Sequence, residues 1–196
     1  ITSLILLLMV SLIPTLKADG ISTLEGFTKK PKSLVGQEIL LQHFPGGQNQ
    51  PTQIIVKRTN AEGVIAAVQK IKGVASVAPE VKDPANPVVN EVAGKIVLNA
   101  TLSVPADSSA ARELVPQIRA SAKSVDSSAV VGGISATFYD VDVASRHDRN
   151  LIIPIVLLII AIILALLLRS ILAALVLLAT VILSFAATLG ASAFVF

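Results

Sequence analysis

The sequence predicts an α+β domain with a ferredoxin-like (βαββαβ) fold, joined to transmembrane α-helices. Two long apolar stretches at residues 151–168 and 171–196 predict the transmembrane part, because neither contains a charged side chain. A β-α-β pattern that occurs twice within residues 52–131 predicts the domain. The charge distribution agrees with this division, since Arg169 is the one charged residue after residue 150.

The two apolar stretches meet at Arg169-Ser170, which predicts a helical hairpin with a short polar turn. As an α-helix, residues 151–168 would extend about 27 Å, close to the hydrocarbon thickness of a bilayer. The soluble alternative is a buried helix pair, but a chain of 196 residues has too little protein to cover two such helices on every side. Pro154 fits the first turn of a helix that begins at the membrane; in a helix that begins earlier it would introduce a bend.

The second apolar stretch carries small and hydroxyl-bearing residues at a spacing that the first stretch lacks. Gly190 and Ala186 form a small-xxx-small pair, which allows another helix to approach closely. Such a face could line a polar pathway, but close helix packing is the simpler interpretation. We therefore predict that Gly190 and the neighbouring stripe face protein rather than lipid. The stripe consists of Thr180, Ser184, Thr188 and Ser192.

Residues 1–13 are apolar but too short to cross a bilayer. They are interpreted either as the end of a truncated transmembrane helix or as a signal peptide. A basic segment and an A-x-A-like cleavage site are both missing from the surrounding sequence, which favours the truncated helix. Residues 14–150 hold almost all of the charged residues and form the predicted domain.

Within this domain, a helix predicted at residues 31–42 ends at the glycine turn His43-Phe44-Pro45-Gly46-Gly47. A phosphate-binding loop is the less favoured interpretation of this turn, because no G-K-[ST] follows. Alternation of apolar and polar residues predicts the strands, and Gly or Pro separates them from the helices. The further predicted elements are a strand at 52–57, a helix capped by Asn60, a strand at 74–78, a linker at 79–94, a strand at 95–104, a helix capped by Asp107 or Ser108, and a strand at 129–131.

The composition argues against several functional classes. The chain contains no cysteine and only two histidines, far apart in sequence, so we expect neither a metal site nor a bound cofactor. Residues 14–150 contain 15 Lys/Arg and 13 acidic residues, a net charge of +2 that argues against nucleic-acid binding. No Ser/His/Asp or paired-carboxylate pattern occurs at a useful spacing, so we expect no catalytic residues and no enzymatic activity.

Three stretches together resemble a known family of membrane proteins. They are HFPGG at residues 43–47, ATFYD at 136–140 leading into RHDRNLIIPIVLL, and the hairpin LLLRSILAALVLLATVILSFAATLGASAFVF. Their order and spacing are similar to those of the MMPL family of bacterial transporters, in the resistance-nodulation-division superfamily. Members of that family have two similar halves, each with one helix, an extracytoplasmic porter domain and five further helices.

The hairpin resembles the second half of such a transporter. The resemblance implies that residues 1–13 are the end of the seventh helix and that residues 14–150 are the second porter domain. It implies that residues 151–168 and 171–196 are the eighth and ninth helices. The protein would be a multi-pass component of the bacterial plasma membrane.

The resemblance also implies a function, which is the export of lipids or other hydrophobic compounds driven by proton entry. The Asp-Tyr pairs that relay protons in the family lie on the fourth and tenth helices, outside this chain. Tyr139-Asp140 precedes the membrane and is not such a pair. The expected partners are membrane lipids, the remaining helices, the first porter domain and a hydrophobic or lipid substrate.

The lone Arg169 between two spans predicts that the hairpin turn, Arg169 and Ser170, lies on the cytoplasmic side. Residues 14–150 would then be extracytoplasmic. The alternative function is a membrane-anchored extracytoplasmic sensor or assembly domain, in which the hairpin serves only as an anchor. An intramembrane Asp in the sequence that follows residue 196 would distinguish the transporter from the anchored domain.

Overall fold

The computed structural model describes residues 6, 9–11, 31–83 and 86–195. Two compact units are present. One, the α+β unit, is Gly20–Val143; the other, the helical unit, combines Ile1–Asp19 with Ala144–Phe196. Most of the predicted apolar segment at residues 1–13 lies outside the described residues, as do residues 12–30.

The α+β unit contains helices and strands over its described length, with five successive strands between its second and third helices. Its elements are α1 (Lys32–His43), β1 (Thr52–Lys57), a 3-10 turn (Arg58–Asn60), α2 (Ala61–Val68), β2 (Val74–Pro79), β3 (Val81–Asp83), β4 (Asn86–Val89), β5 (Glu91–Val92), β6 (Lys95–Leu102), α3 (Ser109–Val125) and β7 (Val130–Gly132). The helix α4 (Ile134–Leu168) begins in this unit and continues into the helical unit, where α5 (Ile171–Val195) follows it.

The main sheet is antiparallel and has the strand order β2–β6–β1–β7. The central pair, β1 and β6, is held in a register that places Ile54 opposite Leu98. The short β5 also pairs with β6, and β3 pairs with β4 in a separate two-stranded sheet. The structure therefore confirms the α+β class and shows that the strands of the main sheet are antiparallel.

One face of the main sheet forms the hydrophobic core with α2 and α3. The alternation along β6 has the predicted result, because Ile96, Leu98, Ala100 and Leu102 are all buried. On α3 the buried residues recur at helical spacing, and all of them except Val115 belong to the same core cluster as Val64 and Val68 of α2. Both helices thus cover the same sheet face, and the buried residues of α3 are Ala111, Leu114, Val115, Ile118 and Ala122.

Several predicted boundaries differ from the structure. The segment at 79–94, predicted as a linker, contains the strands β3, β4 and β5 in its described part. Asn60 stands at the start of α2, but its side chain does not bond to the helix amides. At α3 the cap is Ser108, whose hydroxyl accepts a hydrogen bond from the Ala111 amide at 3.2 Å.

The helices α4 and α5 provide the membrane-spanning candidates. Ile134–Leu168 and Ile171–Ala193 are both long and apolar enough to cross a bilayer, and their apolar stretches are almost entirely unburied. A soluble core helix would be mostly buried, so the membrane interpretation is the appropriate one. Because α4 begins at Ile134, Pro154 lies in the interior of a continuous helix rather than in its first turn.

Candidate functional site

The glycine turn lies directly against the end of β6. The Gly46 amide donates to the Ser103 carbonyl at 3.3 Å, and the Gly47 amide donates to the Leu102 carbonyl at 3.0 Å. A Cβ atom at residue 46 would lie 2.6 Å from the Pro105 nitrogen, and one at residue 47 would lie 2.8 Å from the Leu102 nitrogen. Only glycine permits this approach of two backbones, which fixes the position of α1 beside the sheet.

Two adjoining cavities, of about 230 and 400 Å³, lie between the glycine turn, α1, the loop after β6 and the start of α4. Gln37, Gly46 and Asn49 line both cavities, and we call the two together the lateral groove. Both apolar and amide side chains line the two cavities. The apolar lining residues include Leu40, Phe44, Ile134 and Phe138, and the amides are Gln37, Asn49 and Gln50.

The base of α4 is attached to the rest of the α+β unit by Arg119 of α3. Its guanidinium donates to both carboxylate oxygens of Asp140, at 2.6 and 2.8 Å, and to the Val131 carbonyl at 3.3 Å. The same group lies 5.7 Å from the centre of the Tyr139 ring. A bidentate arginine is geometrically specific, so it fixes the direction in which the first turns of α4 leave the sheet.

Asp126 is a buried carboxylate that connects the end of α3 to β1. It accepts hydrogen bonds from the Ser128 hydroxyl at 2.7 Å, from the Lys57 amide at 2.8 Å and from the Ser128 amide at 3.0 Å. These hydrogen bonds lower the pKa of Asp126 to about 2, and the Ser128 hydroxyl makes the largest contribution. Burial opposes this shift, because it disfavours the charged form. Asn60 makes the smallest contribution to this lowered pKa, through a side-chain hydrogen bond.

The hairpin turn consists of Arg169 and Ser170, between the last residue of α4 and the first of α5. Arg169 has a φ of 49°, a left-handed conformation that is uncommon for a residue with a side chain. The Ser170 hydroxyl accepts a hydrogen bond from the Ala173 amide at 3.2 Å and so caps α5. Sequence reasoning placed the turn but did not identify this cap.

The four hydroxyl residues of α5 do not converge on a common site within this chain. Thr180, Thr188 and Ser192 donate to carbonyls of their own helix, at 2.7, 2.9 and 2.7 Å respectively. Thr180, Ser184 and Thr188 are exposed in this chain, while Ser192 is half-buried. That the stripe faces protein in the complete molecule remains a prediction.

The small residues beside this stripe do make close contact inside the helical unit. Gly190 is buried, and its backbone lies so close to the Met9 carbonyl that a Cβ atom would overlap it. Ala187 is buried as well. The first apolar segment, in its described part, therefore packs against the second half of α5 through residues that leave room for a backbone.

Sequence reasoning missed the main polar contacts of the α+β unit. Arg119 and Asp140 are 21 residues apart, and Lys57 and Asp126 are 69 residues apart, so no local pattern indicates either pair. Within the described part of the chain, no group of three or more His, Cys, Asp or Glu residues is arranged to hold a metal ion.

Comparison with known proteins identifies related chains. ActII-3 of Streptomyces coelicolor, named as a membrane protein, is 44% identical over 197 residues that cover 100% of this chain and 26% of the relative. SCO0839 of the same organism, also named as a membrane protein, is 42% identical over 93% of this chain and 26% of its own length. The apo-petrobactin exporter of Bacillus anthracis is 28% identical over 86% of this chain and 23% of its own length.

The chain thus spans about a quarter of the length of the curated relatives that it matches. The model of the MMPL family matches residues 26–196, which include α1, the sheet, the glycine turn and both long helices. This match agrees with the two apolar helices and with relatives that are named as membrane proteins. The chain is a membrane protein and belongs to the MMPL family.

Proposed function

We propose that this chain is part of a proton-driven, multi-pass transporter that exports lipids or other hydrophobic compounds from a bacterial cell. The observation that carries the proposal is the continuous helix α4, which starts directly after the last strand of the sheet and extends through an apolar span. A folded domain that is joined directly to a membrane helix can respond to movement of that helix, which suits a transporter. Membership of the MMPL family and the related apo-petrobactin exporter support export as the activity.

The α+β unit is proposed to be an extracytoplasmic porter domain with a ferredoxin-like fold, within the boundaries 14–150. The strand order β2–β6–β1–β7 supports this fold. In that order the strands of the two β-α-β units alternate, and both connecting helices contribute to the core on one face of the sheet. The porter domain would be a non-enzymatic component that contacts the substrate.

Proton coupling is proposed to reside in other helices of the complete transporter. Residues 151–168 and 171–196 contain no Asp, Glu, His or Lys, and coupling requires an ionisable group within the membrane. In the proposed transporter, the hairpin holds the porter domain at the membrane and forms one wall of the substrate route. The proposed partners are the remaining helices, the first porter domain and membrane lipids.

An export assay with the complete protein tests the proposal. Bacteria that express it are loaded with Nile red, a fluorescent hydrophobic probe, and efflux is followed after glucose is added. We expect efflux faster than in cells carrying the empty vector, and a return to the vector rate when a protonophore collapses the gradient. Efflux equal to that of the vector control contradicts export of this probe class, and efflux insensitive to the protonophore contradicts proton coupling.

A further inference from the structure

We propose that Arg119 is a positioning residue for export, because it fixes the direction of α4 by bridging the single glycine that joins this helix to the sheet. This inference rests on the proposed function and names a residue through which movement of α4 reaches the sheet. It concerns the first turns of α4, which belong to the α+β unit.

The connection between the sheet and α4 is one residue long. The strand β7 ends at Gly132 and α4 begins at Ile134, so Gly133 alone joins them. Gly133 has a φ of 97°, in a region that glycine adopts far more readily than other residues. Glycine therefore permits this turn, but its wide conformational freedom does not restrict the following helix to one direction.

Apolar packing supplies little of the missing restraint. The buried residues of α4 are Ser135 and Ala136, which are both small. The larger side chains of the first turns, Ile134, Phe138 and Val141, are 38%, 44% and 56% exposed. Because a side chain restricts its helix mainly where neighbours enclose it, these residues leave the direction of α4 weakly determined.

Arg119 makes hydrogen bonds on both sides of the glycine connection. Its guanidinium donates to the Val131 carbonyl, before Gly133, at 3.3 Å. It also donates to both carboxylate oxygens of Asp140, in the second turn of α4, at 2.6 and 2.8 Å. The same group lies 5.7 Å from the centre of the Tyr139 ring. Two bonds from one planar group to one carboxylate fix an angle as well as a distance, so Arg119 supplies the direction that glycine leaves open.

The ion pair is placed to control geometry rather than stability. The side chain of Asp140 is 57% exposed and that of Arg119 is 27% exposed. Exposed ion pairs contribute little to the free energy of unfolding, because water screens the charges. Loss of the pair should therefore alter the direction of α4 while the domain stays folded, and this difference separates a positioning role from a structural one.

A distance measurement between two spin labels tests the positioning role. The chain contains no cysteine, so Ala66→Cys on α2 and Val143→Cys on α4 introduce two labelling sites, both exposed. Pulsed electron paramagnetic resonance of the labelled 196-residue chain in lipid nanodiscs gives the distribution of distances between the labels. We expect Asp140→Asn to widen this distribution at least about twofold, because a neutral amide cannot form the bidentate pair.

Two further variants make the measurement specific. Asp140→Glu keeps a carboxylate for Arg119 and should keep the narrow distribution. Glu91→Gln removes a different ion pair of the same unit, in which Arg58 lies 2.7 Å from the carboxylate and neither residue belongs to α4. This variant should also keep the narrow distribution. Circular dichroism should place the unfolding temperature of all three variants within about 4 °C of the labelled parent.

Three results would overturn the positioning role. The first is a distribution for Asp140→Asn as narrow as that of the labelled parent. The second is equal widening in Asp140→Asn and in either Asp140→Glu or Glu91→Gln, since the bidentate pair would then not be what narrows the distribution. The third is an unfolding temperature of Asp140→Asn that falls well beyond the expected range, which would show that the pair holds the domain together.

Efflux by the complete protein tests whether this restraint serves export. Nile red efflux is measured over a range of probe concentrations and divided by the amount of protein in the membrane. We expect Asp140→Asn to lower the maximal rate at least about fivefold and to leave the half-saturating concentration unchanged. Glu91→Gln should export at the wild-type rate. A raised half-saturating concentration in Asp140→Asn, or an unchanged maximal rate, contradicts the role of Arg119 in export.

The two measurements distinguish failure of this proposal from failure of the proposed function. A wild-type protein that exports no probe contradicts the proposed function, and the distance distributions then decide by themselves whether Arg119 positions α4. Wild-type export by Asp140→Asn, together with a widened distribution, leaves the proposed function intact and overturns the link between the direction of α4 and export.

Discussion

At the residue scale, Asp126 shows how one buried carboxylate joins distant parts of the chain. It accepts hydrogen bonds from β1 and from the turn after α3, and Asn60 adds a further bond. These donors stabilise the ionised form, so the pKa lies at about 2, below its usual value. The carboxylate is therefore ionised throughout the physiological pH range.

This lowered pKa predicts an acid-dependent loss of stability. A group whose pKa is depressed on folding stabilises the protein above the pKa of the unfolded chain, about 4. That contribution should decline as the pH falls from about 4 to the folded-state value of about 2. Thermal unfolding of the wild type and of Asp126→Asn, followed by circular dichroism, measures the difference between them at each pH.

We expect the advantage of the wild type over Asp126→Asn to shrink across that window. Glu62→Gln removes an exposed acid from α2 and controls for the loss of one negative charge. A difference between wild type and Asp126→Asn that stays constant down to pH 2 would contradict the assigned role of the carboxylate.

Gly47 provides a second test at this scale. Gly47→Ala would place a Cβ atom 2.8 Å from the Leu102 nitrogen. The backbones must then separate, which should lower the free energy of unfolding by about 1–3 kcal/mol. Gly36→Ala is the matched control, because nothing lies within 4 Å of its Cβ position on α1. It should raise helix stability by about 0.5–1 kcal/mol; equal effects of the two variants in chemical unfolding would show that the close approach is unimportant.

At the element scale, α5 carries two different surfaces. Thr180, Thr188 and Ser192 bond to carbonyls of their own helix. The small residues Ala187 and Gly190 are buried inside the helical unit. Lipid is itself apolar, so there is no hydrophobic driving force that brings membrane helices together. Their association therefore depends on close packing, which small residues permit. The small residues, rather than the hydroxyl residues, therefore indicate where another segment packs against α5.

Replacement of Gly190 by Leu should disturb the assembly of the complete protein. The new side chain would occupy the position of the Met9 backbone, so the two segments must separate. Size-exclusion chromatography of a fluorescent fusion in detergent should show at least about a twofold loss of the monodisperse peak. Ala179→Leu, at an exposed position of the same helix, is the control and should leave the peak unchanged.

At the scale of the whole molecule, the hairpin predicts an orientation in the membrane. Positively charged residues in short loops favour the cytoplasmic side, and Arg169 lies in such a turn. The chain contains no cysteine of its own, so Ser170→Cys introduces a single thiol into it. An impermeant maleimide should label this thiol in opened membranes but not in intact cells, and labelling in intact cells would reverse the assigned topology.

The whole chain is also predicted not to move protons by itself. Its apolar spans lack Asp, Glu, His and Lys, and hydroxyl groups do not titrate near neutral pH. Liposomes that contain the purified 196-residue chain, an internal pH dye and an imposed gradient should show the proton flux of protein-free liposomes. A flux clearly above that background would place the coupling site within this chain.

Local pattern was sufficient for much of the architecture. Alternation along β6 predicted its buried face, and helical spacing predicted the buried residues of α3. Apolar length predicted the two long helices that the structure contains. Each of these features depends on residues within a few positions of one another. The period of the helix or strand determines which of those residues share a face.

The lateral groove and the contacts around it could be recognised only from the tertiary structure. Gly46 and Gly47 indicated a turn from sequence, but only the fold shows that β6 lies within hydrogen-bond distance of them. The strands β3 to β5 lie in a proline-containing segment whose pairing partners, rather than its own pattern, define them. Arg119 and Asp126 acquire their roles from partners brought together by the fold, because one-dimensional spacing carries no information about contacts formed across a folded core.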